Sequence, residues 1–389
     1  MKKLKMDRGW SLDKSRAPTH CPLMWHGLSD RDGESLYPCC RFDYFDQPGV
    51  PASKEEPLVS SLNSKEFSEW RSKMREGKQI SSCYKCHEDE KIHVKSEREC
   101  ALEEIGPNLP STDTVELSKI QNAEAFVGNH CNLRCHSCNP ASSSGWASEY
   151  QRLGWQWHTI QQNTLIADSI SEFTGLRILK VIGGEPAFSK KFEELILNTP
   201  HPEKVELHIS SNATRVFTDN VLAKLQKFQK VRLSLSIDGY ADLNEMIRYP
   251  SKWNDIEATA KLYLELSKTQ KNLQLILHTT VSILNVFELL PLINWWNALR
   301  NNSPRSKAHL SILRSPSFLS IQNLTKNEQQ RALQLLNENS DPLFDGIKRE
   351  LNGPPAQNPA RSELVDYCEK IDQSRGTKFF LRFKKYIDN

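Results

Sequence analysis

Three cysteines in the sequence CNLRCHSC are the strongest candidates for chemistry in this chain. Cys131, Cys135 and Cys138 lie within eight residues. A metal centre that only stabilises a fold normally has four protein ligands and no open position. Three protein ligands therefore indicate a metal centre with a vacant position at which a reaction can take place. The same spacing leaves open a zinc site that takes its fourth ligand from His130 or His136.

Composition and charge exclude several classes of protein. The chain has 389 residues, of which 25% are charged and 38% are hydrophobic, and its net charge is +3. That charge is too small to indicate nucleic acid or an anionic membrane as a partner. The basic residues 1–10 are not followed by an apolar run, and the most apolar window, 287–299, is too short to span a bilayer. We therefore expect a cytoplasmic protein with no membrane partner.

The other cysteines are also clustered. Nine of the ten cysteines precede residue 139, and only Cys368 follows. Because the cytoplasm keeps thiols reduced, this clustering favours metal sites over disulfides. Cys39 with Cys40 and Cys83 with Cys86 form two pairs that flank a predicted helix. Cys100 and Cys368 are expected to be core or inert thiols.

The helix between these pairs is predicted from residues 61–78. Its apolar side chains fall on one face at helical spacing, at Phe67, Trp70 and Met74. Asn63 and Glu66 have the spacing of a capping box, and Gly77 is a plausible end of the helix. Such a helix can fold the two cysteine pairs back together. Residues 106–116 resemble a linker.

From about residue 120 the pattern changes to short apolar strands alternating with amphipathic helices. Strands are predicted at 123–128, 177–183, 204–210, 230–237, 273–282 and 309–314. Six strand–helix units predict an α/β fold with parallel strands and helices outside. In a parallel barrel or partial barrel the active site lies at the C-terminal ends of the strands. Cys131 directly follows the first strand, so the three cysteines are predicted at that end.

The motif CNLRCHSC resembles the CxxxCxxC signature of radical S-adenosylmethionine (radical SAM) enzymes. The resemblance implies a partial (β/α)6 parallel barrel and a [4Fe–4S] cluster on Cys131, Cys135 and Cys138. The amine and carboxylate of S-adenosylmethionine (SAM) would occupy the fourth iron, which accounts for the missing protein ligand. Where many relatives have a large residue before the third cysteine, this chain has Ser137.

Three later motifs support this resemblance, each at the predicted end of a strand. The segment VIGGEPAF is similar to the family's GGEP motif, SSNAT stands where relatives often have TNGT, and SLSIDG ends the fourth strand. The resemblance implies that SAM contacts Gly183, Gly184, Glu185, Pro186, Ser211, Asn212, Ser234, Ser236, Asp238 and Arg248. Glu185 would accept from the methionyl amine, and Arg248 would bind the carboxylate because a guanidinium matches its geometry.

The N-terminal cysteines resemble the twitch module, the shorter form of the auxiliary-cluster module SPASM. The family pattern of cysteine, glycine, cysteine and CxxC implies a second [4Fe–4S] cluster on Cys21, Cys39, Cys83 and Cys86. Cys40 is a possible substitute for Cys39, and a structural zinc on the same thiolates is the alternative. The module usually follows the barrel, whereas here it precedes it. This organisation predicts a small irregular cysteine-rich module at 1–115, the partial barrel at 116–318 and a helical C-terminal region at 319–389.

The resemblance implies an enzyme that cleaves SAM reductively to a 5′-deoxyadenosyl radical, which abstracts hydrogen from a substrate. An electron donor such as flavodoxin or ferredoxin would supply the electron, and the auxiliary cluster would act as an electron relay. Many enzymes with SPASM or twitch modules modify peptides or proteins, so a peptide and a small molecule are both candidate substrates. No residue is predicted as a catalytic acid or base. The alternative from another class is a zinc-binding interaction protein with structural cysteines.

Overall fold

The computed structural model describes residues 19–91, 95–157, 162–301, 303–355 and 361–387. The basic residues 1–10, which bear on the expected absence of a signal peptide, lie outside these ranges. No helix in the described part of the chain is long and apolar enough to cross a membrane.

One nine-stranded sheet organises the molecule. Its strands are β1 (Gly27–Asp30), β2 (Ser35–Tyr37), β3 (Val50–Pro51), β4 (Asn122–Phe126), β5 (Ile178–Ile182), β6 (Glu206–Ser211), β7 (Lys230–Ser236), β8 (Leu273–Val281) and β9 (Ser306–Ile312). Their order in the sheet is β3-β2-β1-β4-β5-β6-β7-β8-β9. Strands β4 to β9 pair in parallel with their neighbours in chain order. The predicted α/β class is therefore confirmed.

Helices connect and cover these strands. In the first half of the chain they are α1 (Leu23–His26), α2 (Leu58–Leu62), α3 (Lys65–Arg75), α4 (Tyr84–Lys91), α5 (Glu97–Glu104), α6 (Ser144–Leu153), α7 (Leu165–Asp168) and α8 (Lys190–Asn198). In the second half they are α9 (Asp219–Leu225), α10 (Asp242–Ile247), α11 (Trp253–Thr269), α12 (Leu289–Arg300), α13 (Lys326–Asn337), α14 (Asp345–Leu351), α15 (Arg361–Arg375) and α16 (Phe379–Lys384). The last four follow β9 in the region predicted to be helical.

The sheet has one strongly apolar face, because alternate residues of a strand point to opposite sides. In β7, Val231, Leu233 and Leu235 are fully buried, whereas the residues between them are half-buried and mostly polar. β8 repeats this alternation over nine residues. The apolar face packs against the helices, and the polar side chains of the other face are left for the site.

The N-terminal region differs from the prediction of a small irregular module. It contains α1 to α5 and three strands, and β1 pairs in parallel with β4 through Leu28 and Ala123. All four residues of β1 are buried. This strand was missed because its sequence, GLSD, has neither an apolar alternation nor β-branched residues. The N-terminal region thus extends the central sheet at its β4 edge.

The helix predicted within 61–78 forms as α3, but its cap is shifted by one residue. Ser64, not Asn63, is the N-cap, and its hydroxyl accepts from the backbone N–H of Phe67. Asn63 instead bonds both backbone groups of Val115 through its side chain. Gly77 follows the end of the helix with a φ of +71°, as predicted for a helix stop.

Candidate functional site

The cysteine loop, residues 130–139, begins four residues after the end of β4. Cys135 is buried, and Cys131 and Cys138 are half-buried. The backbone N–H of Cys138 donates to the carbonyl oxygen of Cys135 at 3.0 Å. The three cysteines predicted as cluster ligands therefore share one short loop at the C-terminal end of the first strand of the parallel series.

The GGEP segment is hydrogen-bonded to the beginning of the cysteine loop. The backbone N–H groups of Gly184 and Glu185 donate to the carbonyl oxygens of Gly128 and His130, each at 2.8 Å. A Cβ atom on Gly184 would lie 2.1 Å from the oxygen of His130, so only glycine fits there. Pro186 opens the short turn 186–188 that follows. The glycines thus serve a close backbone approach between the loops after β4 and β5.

Glu185 is buried and joins the loop after β5 to the end of β6. Its carboxylate accepts from the hydroxyl of Ser211 at 2.8 Å and from the backbone N–H of Asn212 at 2.6 Å. Burial raises the pKa of Glu185. The amide of Asn212 donates in turn to Asn132 of the cysteine loop at 2.8 Å and lies 3.9 Å from the sulfur of Cys131. Glu185, Ser211 and Asn212 therefore form one polar network against the first cysteine.

Arg248 lies beside the three thiols because the chain around it runs along the cysteine loop. The backbone N–H of Arg134 donates to the carbonyl oxygen of Tyr249 at 2.6 Å, and that of His136 to the carbonyl oxygen of Ile247 at 2.9 Å. These two bonds on either side of Arg248 hold its side chain next to Cys135.

The partly buried guanidinium of Arg248 forms an ion pair with the buried carboxylate of Asp238 at 2.8 Å, and Asp238 also accepts from the backbone N–H of Thr280. Burial alone would lower the pKa of Arg248, but Cys135 in its thiolate form and the carboxylate of Asp238 raise it above its usual value. Its Nε is buried and has no hydrogen-bond partner in the described structure. A donor of this kind fits an anionic group.

Burial disfavours the charged form of all three thiols. Together with repulsion from a neighbouring thiolate, it raises the pKa of Cys131 and Cys138 to about 12. Thiols bind metals as thiolates, so deprotonation here requires compensating positive charge. Arg248 supplies one such charge, and bound iron would supply the rest.

Helix α6 and the C-terminal helix α15 hold the cysteine loop from the other side. The indole N–H of Trp146 donates to the carbonyl oxygen of Cys135 at 2.6 Å. Arg375 donates to the carbonyl oxygen of Arg134 at 2.8 Å and forms a buried ion pair with Glu149 at 2.8 Å. No local sequence signal indicates the contacts of Arg375, because its partners lie more than 200 residues away along the chain.

The contacts of the two loop histidines in the described structure do not include a cysteine. His136 is buried against Phe379, and its Nδ1 lies 3.2 Å from the hydroxyl of Tyr367. His130 is exposed. Ser234 and Ser236 are half-buried on the polar face of β7. Tyr240 is exposed and packs edge-on against Trp253.

A second group of cysteines lines a small cavity in the N-terminal region. We call this the four-cysteine cavity, because its wall includes Cys21, Cys39, Cys83 and Cys86. Arg41 and Arg98 line it as well. Burial raises the pKa of each of the four thiols. The four residues named from the twitch resemblance are thus brought together from three separate segments of the chain.

Cys40 is not among the residues that line this cavity. Its sulfur accepts from the ammonium of Lys180 on β5 at 3.4 Å, and Lys180 also pairs with Glu97. The structure therefore places Cys39 with the other three cysteines and Cys40 against the sheet. Within the described residues, no three Cys, His, Asp or Glu side chains are arranged as ligands of a single metal ion. Cys368 is buried in α15, and Cys100 is half-buried in α5.

Comparison with known proteins identifies the domain that carries the cysteine loop. Residues 126–288 match the model of the Radical SAM superfamily. The chain is 30% identical over 115 residues to a GTP 3′,8-cyclase of Corynebacterium glutamicum, covering 28% of this chain and 29% of that protein. It is 25% identical over 140 residues to a probable GTP 3′,8-cyclase of Methanocaldococcus jannaschii, covering 36% of this chain and 43% of that protein. The chain thus spans less than half the length of these relatives.

Solved structures give more distant likenesses. The enzyme anSMEcpe with bound AdoMet is 15% identical, with a TM-score of 0.38, over 57% of this chain and 61% of that chain. Streptococcus suis SuiB bound to its precursor peptide SuiA is 13% identical, with a TM-score of 0.38, over 72% of this chain and 54% of that chain. The matched segment 126–288 holds the cysteine loop, Glu185 and Arg248. Residues 126–288 therefore match a radical SAM domain, and a family of this kind implies a [4Fe–4S] cluster and SAM as cofactors.

Proposed function

We propose that this protein is a radical SAM enzyme in which Cys131, Cys135 and Cys138 hold a [4Fe–4S] cluster and a second cluster occupies the four-cysteine cavity. The proposal rests on one observation: the partly buried guanidinium of Arg248 lies beside three thiols on one loop. That loop lies inside the segment that matches the superfamily. The three thiols leave one iron open, as SAM binding requires.

When bound, the cluster and SAM supply a 5′-deoxyadenosyl radical that abstracts hydrogen from the substrate. The residues of this chain bind SAM and orient it. The free Nε of Arg248 is buried and available to the methionyl carboxylate. Glu185 accepts from the methionyl amine, and its hydrogen bonds to Ser211 and Asn212 fix its orientation. Gly183, Pro186, Ser234, Ser236 and Asp238 complete the proposed SAM-contacting set.

The four-cysteine cavity supports a second [4Fe–4S] cluster, with Cys39 rather than Cys40 as its ligand. Four thiolates leave no open iron, which suits electron transfer rather than substrate binding. Arg41 and Arg98 offset part of the negative charge in the cavity. β1 pairs with β4, and the cysteine loop follows β4. The proposed relay is therefore attached to the strand that precedes the proposed SAM-cleaving cluster.

The proposal includes the architecture and partners that the family resemblance implies. Strands β4 to β9 would curve into a partial barrel spanning 116–318, preceded by the twitch-like module at 1–115 and followed by the helical region at 319–389. A cytoplasmic flavodoxin or ferredoxin would donate the electron. The substrate would be a peptide, a protein side chain or a small molecule. The cyclisation of GTP is not carried over, because the curated relatives match only 28–36% of this chain.

The test is the iron and labile sulfide bound per chain after anaerobic reconstitution. Wild type is compared with a variant in which Cys131, Cys135 and Cys138 are all changed to alanine. We expect about eight irons in wild type and about four in the variant, because each cubane contains four. Wild type should also release 5′-deoxyadenosine from SAM with a chemical reductant, whereas the variant should release none.

Other outcomes separate the parts of the proposal. About four irons falling to none would retain the SAM-cleaving cluster and remove the auxiliary one. Zinc without iron would instead support the alternative of a zinc-binding interaction protein. Iron bound at full stoichiometry without 5′-deoxyadenosine would contradict the proposed reaction.

A further inference from the structure

A cavity of about 620 Å³ lies beside the third cysteine of the cysteine loop. Its wall combines residues 136–139 of that loop, the segment 154–157 after α6, residues 315–318 after β9, and one face of α15. Cys138 is part of the wall. The volume lies within the range of small-molecule sites, about 300–1,000 Å³. We call this space the aromatic cavity.

Its wall is a continuous series of aromatic rings. Tyr150 makes edge-on contacts with Trp155 at 5.0 Å and with Trp157 at 6.0 Å between ring centroids. Trp155 stacks on Tyr367 at 5.7 Å, and Phe318 packs on Tyr367 at 5.0 Å. Because each ring is held by its neighbour, the wall is preorganised. Trp157 nevertheless remains 46% exposed, so part of the aromatic surface is open to a ligand.

The charge on the wall is negative. Glu363 and Asp366 lie one turn apart on α15 and line the aromatic cavity, and no lysine or arginine does so among the described residues. Asp366 pairs with Lys370 at 2.7 Å. Glu363 has no ion-pair partner within the described ranges. Aromatic faces together with carboxylates favour an organic cation, which gains both a cation–π contact and a charged hydrogen bond.

We propose that the aromatic cavity binds an alkylammonium or alkylguanidinium group of the substrate. This inference deepens the proposed function and rests on it, because Cys138 connects the cavity to the cluster site. Aromatic rings would enclose the apolar stem of such a group, while Glu363 and Asp366 would face its charged end. A lysine or arginine side chain has this chemistry, as does a free alkylamine.

The test uses three probes of equal length and different charge: hexylammonium, 1-hexanol and hexanoate. Their binding to the full chain is measured by calorimetry and by the change in tryptophan fluorescence. We expect hexylammonium to bind at least about tenfold more tightly than 1-hexanol, since a charged hydrogen bond contributes roughly that factor. Hexanoate should bind most weakly. Equal affinities for the three probes, or no binding of any, would overturn the proposal.

The variant Glu363→Gln with Asp366→Asn tests the carboxylates, and Glu369→Gln is the matched control. Glu369 lies on the same helix and is exposed outside the cavity. The double variant should lose the preference for hexylammonium over 1-hexanol, whereas the control should keep it. Retention of the preference by the double variant would contradict the assignment. Circular dichroism establishes that each variant is folded.

Electron paramagnetic resonance tests whether the aromatic cavity lies next to the proposed cluster. In reconstituted, reduced protein, hexylammonium should change the electron paramagnetic resonance spectrum of wild type and leave that of the double variant unchanged. No change in wild type would overturn the placement of substrate beside Cys138. The binding measurements need neither iron nor SAM, so failure of the proposed function appears as missing 5′-deoxyadenosine while the cation preference persists.

Discussion

The cysteine loop and the four-cysteine cavity are assembled in opposite ways. The loop takes its three cysteines from eight consecutive residues, and distant elements hold its backbone. The cavity collects four cysteines from three distant segments, and only Cys83 and Cys86 lie in helical turns. The first arrangement leaves a ligand position open and surrounds it with SAM-binding candidates. The second brings together four cysteines, the number of ligands that the proposed electron-transfer cluster needs.

Replacing Cys39 and Cys40 one at a time tests the proposed difference between the two cysteine sites. Cys39→Ala should lower bound iron from about eight to about four per chain, because a cubane loses stability without its fourth thiolate. Cys40→Ala is the matched control and should retain the full iron content. Equal iron loss in both variants would show that the assignment of Cys39 is wrong. SAM cleavage by the other cluster should continue in both.

The charge of Arg248 should affect the reaction at the cysteine loop and not the four-cysteine cavity. Arg248→Gln should reduce the release of 5′-deoxyadenosine by about 100-fold, as loss of a preorganised charged donor does. It also leaves Asp238 buried and unpaired, which should lower the free energy of unfolding by about 3–5 kcal/mol. Urea denaturation measures this change. Arg382→Gln, at a more exposed ion pair, should change neither quantity strongly.

A substitution of Arg375 tests whether α15 holds the cysteine loop in place. Arg375→Gln removes the buried ion pair with Glu149 and should lower the free energy of unfolding by about 3 kcal/mol. Iron at the cysteine loop should fall, whereas iron in the four-cysteine cavity should stay. A uniform loss of iron from both sites would contradict a local clamp.

The same ion pair has a predictable pH dependence. Burial would raise the pKa of Glu149, but the hydrogen bond and charge of Arg375 lower it below the usual value. A carboxyl with a depressed pKa in the folded protein stabilises it above its unfolded pKa of about 4.5 and loses that effect as the pH falls further. The stability difference between wild type and Arg375→Gln should therefore be constant near pH 7 and shrink below about pH 4.5.

The smallest expected effect concerns the helix that separates the cysteine pairs. Ser64→Ala removes the N-cap of α3 and should lower the free energy of unfolding by about 1 kcal/mol. The thermal midpoint measures this loss. Iron content at both sites should remain unchanged, because Ser64 contacts no cysteine. A loss of iron from the four-cysteine cavity would show that α3 positions its ligands more directly.

The sequence predicts those parts of the molecule that depend on local periodicity or on a compact motif. Strands β4 to β8 were located within about two residues, because their apolar alternation is regular. The predicted start of the last strand was late by three residues, since Ser306 and Lys307 of β9 lack that alternation. The prediction of Asn63 as the helix cap is wrong because two adjacent residues can cap, and a contact with Val115 decides between them.

Local sequence patterns do not predict contacts between residues that are far apart in the chain. Arg248 was named from its motif, but its pairing with Asp238 follows from the packing of two loops. The contact between Arg375 and Arg134 joins the C-terminal region to the cysteine loop, 241 residues earlier in the chain. Cys39 and Cys40 are chemically equivalent in the sequence, and only the direction of the chain after β2 separates them. Tertiary geometry, rather than residue type, decides each of these cases.

The parallel pairing of β1 with β4 has a consequence for how the protein is made. Ser29 and Glu124, which face each other across this pair, are 95 residues apart, so β1 leaves the ribosome long before its partner strand exists. During that interval the edge of β1 is an unpaired template for other strands. Slowing synthesis between these strands should therefore increase aggregation of the nascent chain.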